Sequence, residues 1–142
     1  MPKIVLSAPA HVLFETIITV QIGDINYGKH LSNDAVLRLV HEARLRWLAT
    51  GELNEIDIDG VGMIMAHAHI HYQAQAFYGD ELLFALGITE VRHTGFTLHT
   101  QITRLSDGIT IAKVETGMAF FDYAQQKVAR MPARFRQFIE MR

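Results

Sequence analysis

The apolar residues of this chain change their spacing twice, and few folds accommodate both changes. In "ETIITVQI" apolar and polar residues alternate, with Thr16, Ile18, Val20 and Ile22 on one side, as in a strand with one wetter face. In "NDAVLRLVHEARLRWLATG" the spacing becomes three and four. Val36, Leu39, Val40, Ala43 and Trp47 then form a single apolar stripe on a helix. After the polar link "LNEIDIDG" alternation returns in "VGMIMAHAHIHYQA", "DELLFALGITEV", "GFTLHTQITRL" and "ITIAKVETGMAFFD". "SDG" between the last two is an Asp-Gly turn, and Pro132 starts a short helix in "MPARFRQFIEMR". The order is strand, helix, then four strands joined by short turns. Short turns predict antiparallel neighbours. A lone amphipathic helix must bury its stripe on the sheet. The expected architecture is α+β, with one long helix against a curved, antiparallel five-stranded sheet.

A chain of 142 residues predicts a single domain over 1–142. At that size roughly 70% of the unfolded surface is buried on folding, so no staple is needed. The formal net charge of −2 argues against a nucleic-acid partner. The absence of cysteine removes thiolate chemistry and Cys-based zinc sites, and shows no sign of an oxidising compartment. The N-terminal "MPKIVLSAPAHVLFET" does not read as a signal peptide, and no window approaches the ~18 apolar residues of a membrane span. A cytoplasmic protein without membrane insertion is expected.

The densest polar chemistry lies at the first change of spacing, in "GDINYGKHLSND". Ser32 or Asn33 can cap the helix that follows, Gly28 permits the turn before it, and Gly51 suits the helix's far end. A helix N-terminus presents free N–H groups and the positive end of the dipole. Along the helix Asp34, Arg38, Glu42 and Arg46 lie four apart and predict ion pairs on a solvated face.

These features together resemble the hotdog fold, and within it the 4-hydroxybenzoyl-CoA thioesterase-like family. The likeness covers about Thr16 to Asp122. Members of that family often read Asp-x-Asp-x-x-Gly-His-Val-Asn-Asn before the helix. Here the same positions read Asp24, Ile25, Asn26, Tyr27, Gly28, Lys29, His30, Leu31, Ser32 and Asn33. "HEAR" in the helix and "IHYQAQAFYGDEL" after it are also similar. The resemblance implies hydrolysis of an acyl- or aroyl-CoA thioester, no cofactor, and a homodimer or homotetramer with sites at the dimer interface. The Asn33 position would supply a backbone N–H to the thioester oxygen. In the hydroxybenzoyl-CoA enzymes the second Asp is the catalytic carboxylate, and here that position is Asn26. An amide orients water or a carbonyl but takes no proton. The titratable candidates are therefore His30 and Asp24. Plant acyl-carrier-protein thioesterases use a His at the position of His30, and imidazole is a suitable base near neutral pH. Some hotdog enzymes place a helical carboxylate at the partner's site, which makes Glu42 a further candidate. Arg92, His93 and Lys29 are candidates for the CoA phosphates, because the hydroxybenzoyl-CoA enzymes carry phosphate-binding arginines in the turn that holds Arg92.

His67, His69 and His71 recur at every second residue, which places them on one side of a strand but does not build a metal site. The opposite side, with Ala66, Ala68, Ile70 and Tyr72, is expected to pack on the helix. No metal is expected. Two other functions compete with hydrolysis. Hotdog hydratases or dehydratases can use Asp-x-Asn-Pro-x-His, of which Asp24-Ile25-Asn26 matches the first half, without the proline and with His30 one residue late. A non-catalytic acyl-CoA-binding module would explain the missing carboxylate.

Overall fold

The computed structural model of the chain describes residues 6 and 9–141. The expectation that no signal peptide opens the chain falls largely on residues 1–5, 7 and 8, outside the described residues. The described elements are β1 Phe14–Thr19, a 3₁₀ turn Ile22–Asp24, α1 Asn33–Ala49, β2 Gly62–Tyr72, β3 Glu81–Arg92, β4 Gly95–Arg104, β5 Thr110–Asp122, β6 Lys127–Val128 and α2 Ala133–Glu140. Every pairing is antiparallel, in the order β1-β3-β4-β5-β2, with the two-residue β6 beside β5. The expected five strands and one long helix are present, and Pro132 stands at the N-cap of the short α2.

One expected neighbourhood is absent. β2 and β3 are consecutive in the chain but do not pair; β5 and β4 lie between them. Residues 73–80 therefore cross the end of the sheet, about 14 Å at ~4.8 Å per strand. That crossing is held from several sides. Gly79 N–H bonds the Val20 carbonyl at 2.9 Å, and Leu31 N–H bonds that of Ala76 at 2.7 Å. Arg104, at the end of β4, donates to the Gln75 carbonyl at 2.8 Å and to Asp80 at 3.2 Å.

The α1 stripe behaves as its spacing predicts. Val36, Leu39, Val40, Ala43 and Trp47 are all buried against Leu82, Phe84, Leu86, Phe96 and Leu98 of the sheet. Burying such a side chain is worth about 1.5–3 kcal/mol each, which holds the helix to the sheet. The indole of Trp47 meets Phe135 and Phe138 of α2 at centroid distances of 6.1 and 5.2 Å. Gly51 is what admits Phe138, since a Cβ there would stand 2.4 Å from its ring. The left-handed residue after the helix is Glu52 (φ 59°), so Gly51 serves close approach instead of helix termination. Alternation in β1 also stops earlier than expected. Val20 is buried, but Ile22 enters the 3₁₀ turn and is 74% exposed.

His67, His69 and His71 share the outer face with Gly117, Glu115 and Lys113. Ala68, Ile70 and Tyr72 face the helix side opposite Thr116, Val114 and Ala112. Ala66 departs from this pattern, because a bulge between Met65 and His67 leaves it unpaired and exposed.

Candidate active site

Between the 3₁₀ turn and α1 the backbone folds back on itself. Asn26 N–H bonds the His30 carbonyl at 3.1 Å, Lys29 N–H bonds that of Asn26 at 3.0 Å, and Ile25 bridges Leu31. Asn26 Oδ1 accepts the Gly28 N–H at 2.9 Å, an Asx turn. The left-handed residue of this turn is Lys29 (φ 63°), not Gly28. The family pattern has glycine at the position of Lys29, so this chain carries backbone strain there of about 1 kcal/mol. Gly28 has a different role. A Cβ on it would stand 2.9 Å from His30 Nε2 and 3.3 Å from Asn26 Oδ1. Nε2 and Oδ1 thus border one point, and glycine keeps that point open.

The His30 ring is held from its other edge. Nδ1 lies 3.2 Å from the Leu31 carbonyl. A proton on Nδ1 satisfies that oxygen, and Nε2 then keeps its lone pair facing Gly28 and Asn26. The segment is also bridged to the crossing loop, His30 opposite Phe77.

The helix start is left open. Ser32 occupies the N-cap position without a side-chain bond to the helix backbone. Its hydroxyl turns to Asp34, which with Arg38 holds that carboxyl below the usual carboxylate range. The N–H of Asn33 has no protein acceptor among the described residues, and that of Asp34 has only its own carboxylate. Asn33 lines a cleft of about 280 Å³ together with His30, Val36, Tyr72, Gln73 and Gln75, among others. Asn26 itself lines a second, more apolar cleft of about 470 Å³, with Ile22, Lys29, Phe77 and Tyr78 at its walls. An imidazole nitrogen and an amide oxygen thus border one point at Gly28, and the same imidazole shares a cleft with the first residue of the helix. Such a set can activate water and stabilise an oxyanion.

The other candidates lie apart from this point or are already engaged. Asp24 accepts the Gln21 N–H at 2.9 Å and pairs with Arg38 at 3.6 Å, while its carbonyl accepts the Ser32 N–H; it braces the turn. Glu42 lies about 13.5 Å farther along the helix than Asn33, at ~1.5 Å per residue. It pairs with Arg46 at 2.7 Å, just as Arg38 pairs with Asp34. Arg92 and His93 sit at the opposite end of β3, roughly 35 Å from Glu81 at ~3.3 Å per residue. One chain does not bring them to His30. Arg92 bonds the carbonyl and carboxylate of Glu90, and His93 is exposed. The described residues hold no cluster of three metal-ligating side chains.

Two features escaped the sequence reading. Arg44, only 6% exposed, lies inside the apolar stripe and bonds Glu55 at 3.0 Å, and His41 bonds the same carboxylate. This pairing ties the 50–61 connection to α1. Tyr72 ends β2 with its hydroxyl on the Asn33 carbonyl at 2.9 Å. Alternation puts Tyr72 on the helix side, but gives no hint that it meets the helix at its first residue.

The chain is similar in sequence and in fold to known proteins. A family model described as the thioesterase-like superfamily matches residues 20–139. The 1,4-dihydroxy-2-naphthoyl-CoA hydrolase of Synechocystis is 29% identical over 99 residues, 68% of this chain and 72% of that protein. A crystal structure of a 1,4-dihydroxy-2-naphthoyl-CoA thioesterase from Synechocystis superposes with a TM-score of 0.82 at 24% identity, covering 89% of this chain and 94% of that one. A variant of 4-hydroxybenzoyl-CoA thioesterase complexed with 4-hydroxybenzoyl-CoA superposes at 0.79 and 16% identity, covering 89% and 97%. At such identities the two structures speak to the fold. No helix among the described residues is long and apolar enough to cross a membrane.

Proposed function

The chain belongs to the thioesterase-like superfamily, and from that premise we propose that it hydrolyses an acyl- or aroyl-CoA thioester to the free acid and CoA. The observation that carries this reading is the setting of His30. Its Nδ1 is engaged by the Leu31 carbonyl, and its Nε2 lies beside Asn26 at the mouth of an uncapped helix. In the proposed reaction the thioester oxygen sits on the N–H groups of Asn33 and Asp34. Asn26 orients water, and His30 Nε2 takes a proton as the water oxygen attacks the acyl carbon. The tetrahedral oxyanion collapses, the C–S bond breaks, and the CoA thiolate takes the proton back from the imidazolium. Asp24 acts through its turn. Lys29, which lines the same cleft as Asn26, is the cation for a CoA phosphate. Arg92, His93 and Glu42 reach a site only on a second copy.

That last point supports a homodimer as the working unit. β2 is an 11-residue edge strand with no strand on its outer side among the described residues, which is the usual template for adding a second copy. A single domain and a cytoplasmic location belong to the same proposal.

A panel of CoA thioesters, varied in acyl length and aromaticity, tests the reaction through release of free CoA. Turnover that survives chelation supports it. Hydration of an enoyl-CoA without CoA release favours a hydratase. Binding without turnover across the panel makes the protein an acyl-CoA-binding module.

A further inference from the structure

We propose that Tyr72 is a positioning residue for this site, holding the first turn of α1 in the register that presents the Asn33 and Asp34 N–H groups. The inference rests on the hydrolase reading and adds a residue which that reading does not use. The first turn of a helix frays unless something holds it, and a capping side chain normally contributes about 1 kcal/mol. Here the capping position is occupied by Ser32, but its hydroxyl serves Asp34 instead. The Ala35 N–H to Ser32 carbonyl bond, at 3.1 Å, ties the turn only to itself. The bond that ties it to the sheet runs from the Tyr72 hydroxyl to the Asn33 carbonyl.

The placement has two consequences. The Asn33 carbonyl and the Asp34 N–H belong to one planar peptide unit, so fixing the oxygen fixes the direction of the hydrogen. A donor on that oxygen also polarises the unit and strengthens its N–H as a donor. Tyr72 is 46% exposed and lines the cleft, so its phenol adds little to the core that a phenyl ring would not. Partial burial and the nearby Asp34 carboxylate raise its pKa, so the hydroxyl stays protonated and donating across the neutral range.

Tyr72→Phe removes the donor and keeps the ring. The expected result is a kcat about tenfold lower with KM within twofold, because a misdirected N–H weakens the oxyanion contact more than ground-state binding. Amide resonances of Asn33 and Asp34 should shift in the folded, ligand-free variant, and its thermal midpoint should stay near that of wild type. An unchanged kcat in an active enzyme overturns the proposal. So does a raised KM at constant kcat, which would make Tyr72 a substrate contact, or a loss of activity that merely tracks lost stability. Unmoved Asn33 and Asp34 resonances overturn it without any assay. A wild type inactive on every thioester refutes the hydrolase reading, while the resonances still report on the hold Tyr72 has on the helix.

Discussion

The strand–helix junction and the β3–β4 hairpin look alike in sequence. Each is a short polar stretch with a cation beside a histidine, Lys29–His30 in one and Arg92–His93 in the other. Each also holds a non-glycine residue at positive φ, Lys29 at 63° and Glu90 at 49°. Their surroundings differ. The hairpin's side chains close on their own neighbours, while its His93 and Thr94 carbonyls accept the N–H groups of Met131 and Phe120. Arg92 is neutralised by Glu90 two residues away, and Arg92 pairs with Gly95 across the turn. The junction is held by distant residues. The 73–80 crossing bonds Leu31 and bridges His30, while Tyr72 bonds the helix start. A turn held by distant residues only through its backbone leaves its polar side chains to solvent. One held from outside by a side chain as well can keep polar groups half-buried, aimed and unpaired.

The sharpest way to break this comparison is to remove the two histidines in turn. His30→Ala should lower kcat roughly 10²-fold or more, the usual worth of a positioned base, with little change in KM. His93→Ala should leave kcat alone. Adding Asn26→Asp to His30→Ala should recover part of the loss, since a carboxylate keeps the Asx-turn acceptor and can take a proton. Equal kcat in wild type and His30→Ala would make the junction another ordinary turn.

A methyl group on glycine should also act differently in the two regions. In Gly28→Ala the added carbon meets the His30 ring, so kcat should fall about tenfold through a displaced imidazole while the fold persists. In Gly95→Ala it meets the Met118 carbonyl oxygen at 2.1 Å, so backbone must move and stability should fall by about 1–3 kcal/mol. Denaturation midpoints beside steady-state rates separate these outcomes.

Arg92→Ala tests whether the hairpin contributes to a site across a dimer. A phosphate contact predicts KM up by about two- to fivefold at unchanged kcat, and the effect should shrink with salt. An unaltered KM assigns Arg92 to Glu90 alone. The smallest effect concerns Lys29→Gly, which releases the left-handed strain and loosens the unfolded chain. The two largely cancel, so the net gain should stay below about 1 kcal/mol. A raised KM in this variant would identify Lys29 as a phosphate contact, which the thermal midpoint alone would miss.

Much of the fold was legible because it follows from periodicity. The five α1 residues spaced by three and four are all buried, and the strand faces follow alternation except at the Ala66 bulge and at Ile22. The charged row also formed as written, Asp34 with Arg38 and Glu42 with Arg46. The Asn26 and His30 pairing was visible as a motif only.

By itself the sequence determined the elements, the buried stripe, the position of the strand–helix junction and the residue types available there. Spacing records which way a side chain faces along its own segment, and that is enough for each of these. Only the tertiary structure decided that β2 and β3 part to opposite sides of β4 and β5. The same folding sends residues 73–80 across the sheet end to hold His30, makes Gly51 a site of close approach, and brings Tyr72 to the helix start. Each of these depends on atoms far apart in sequence meeting within about 3 Å, and periodicity carries no term for that distance.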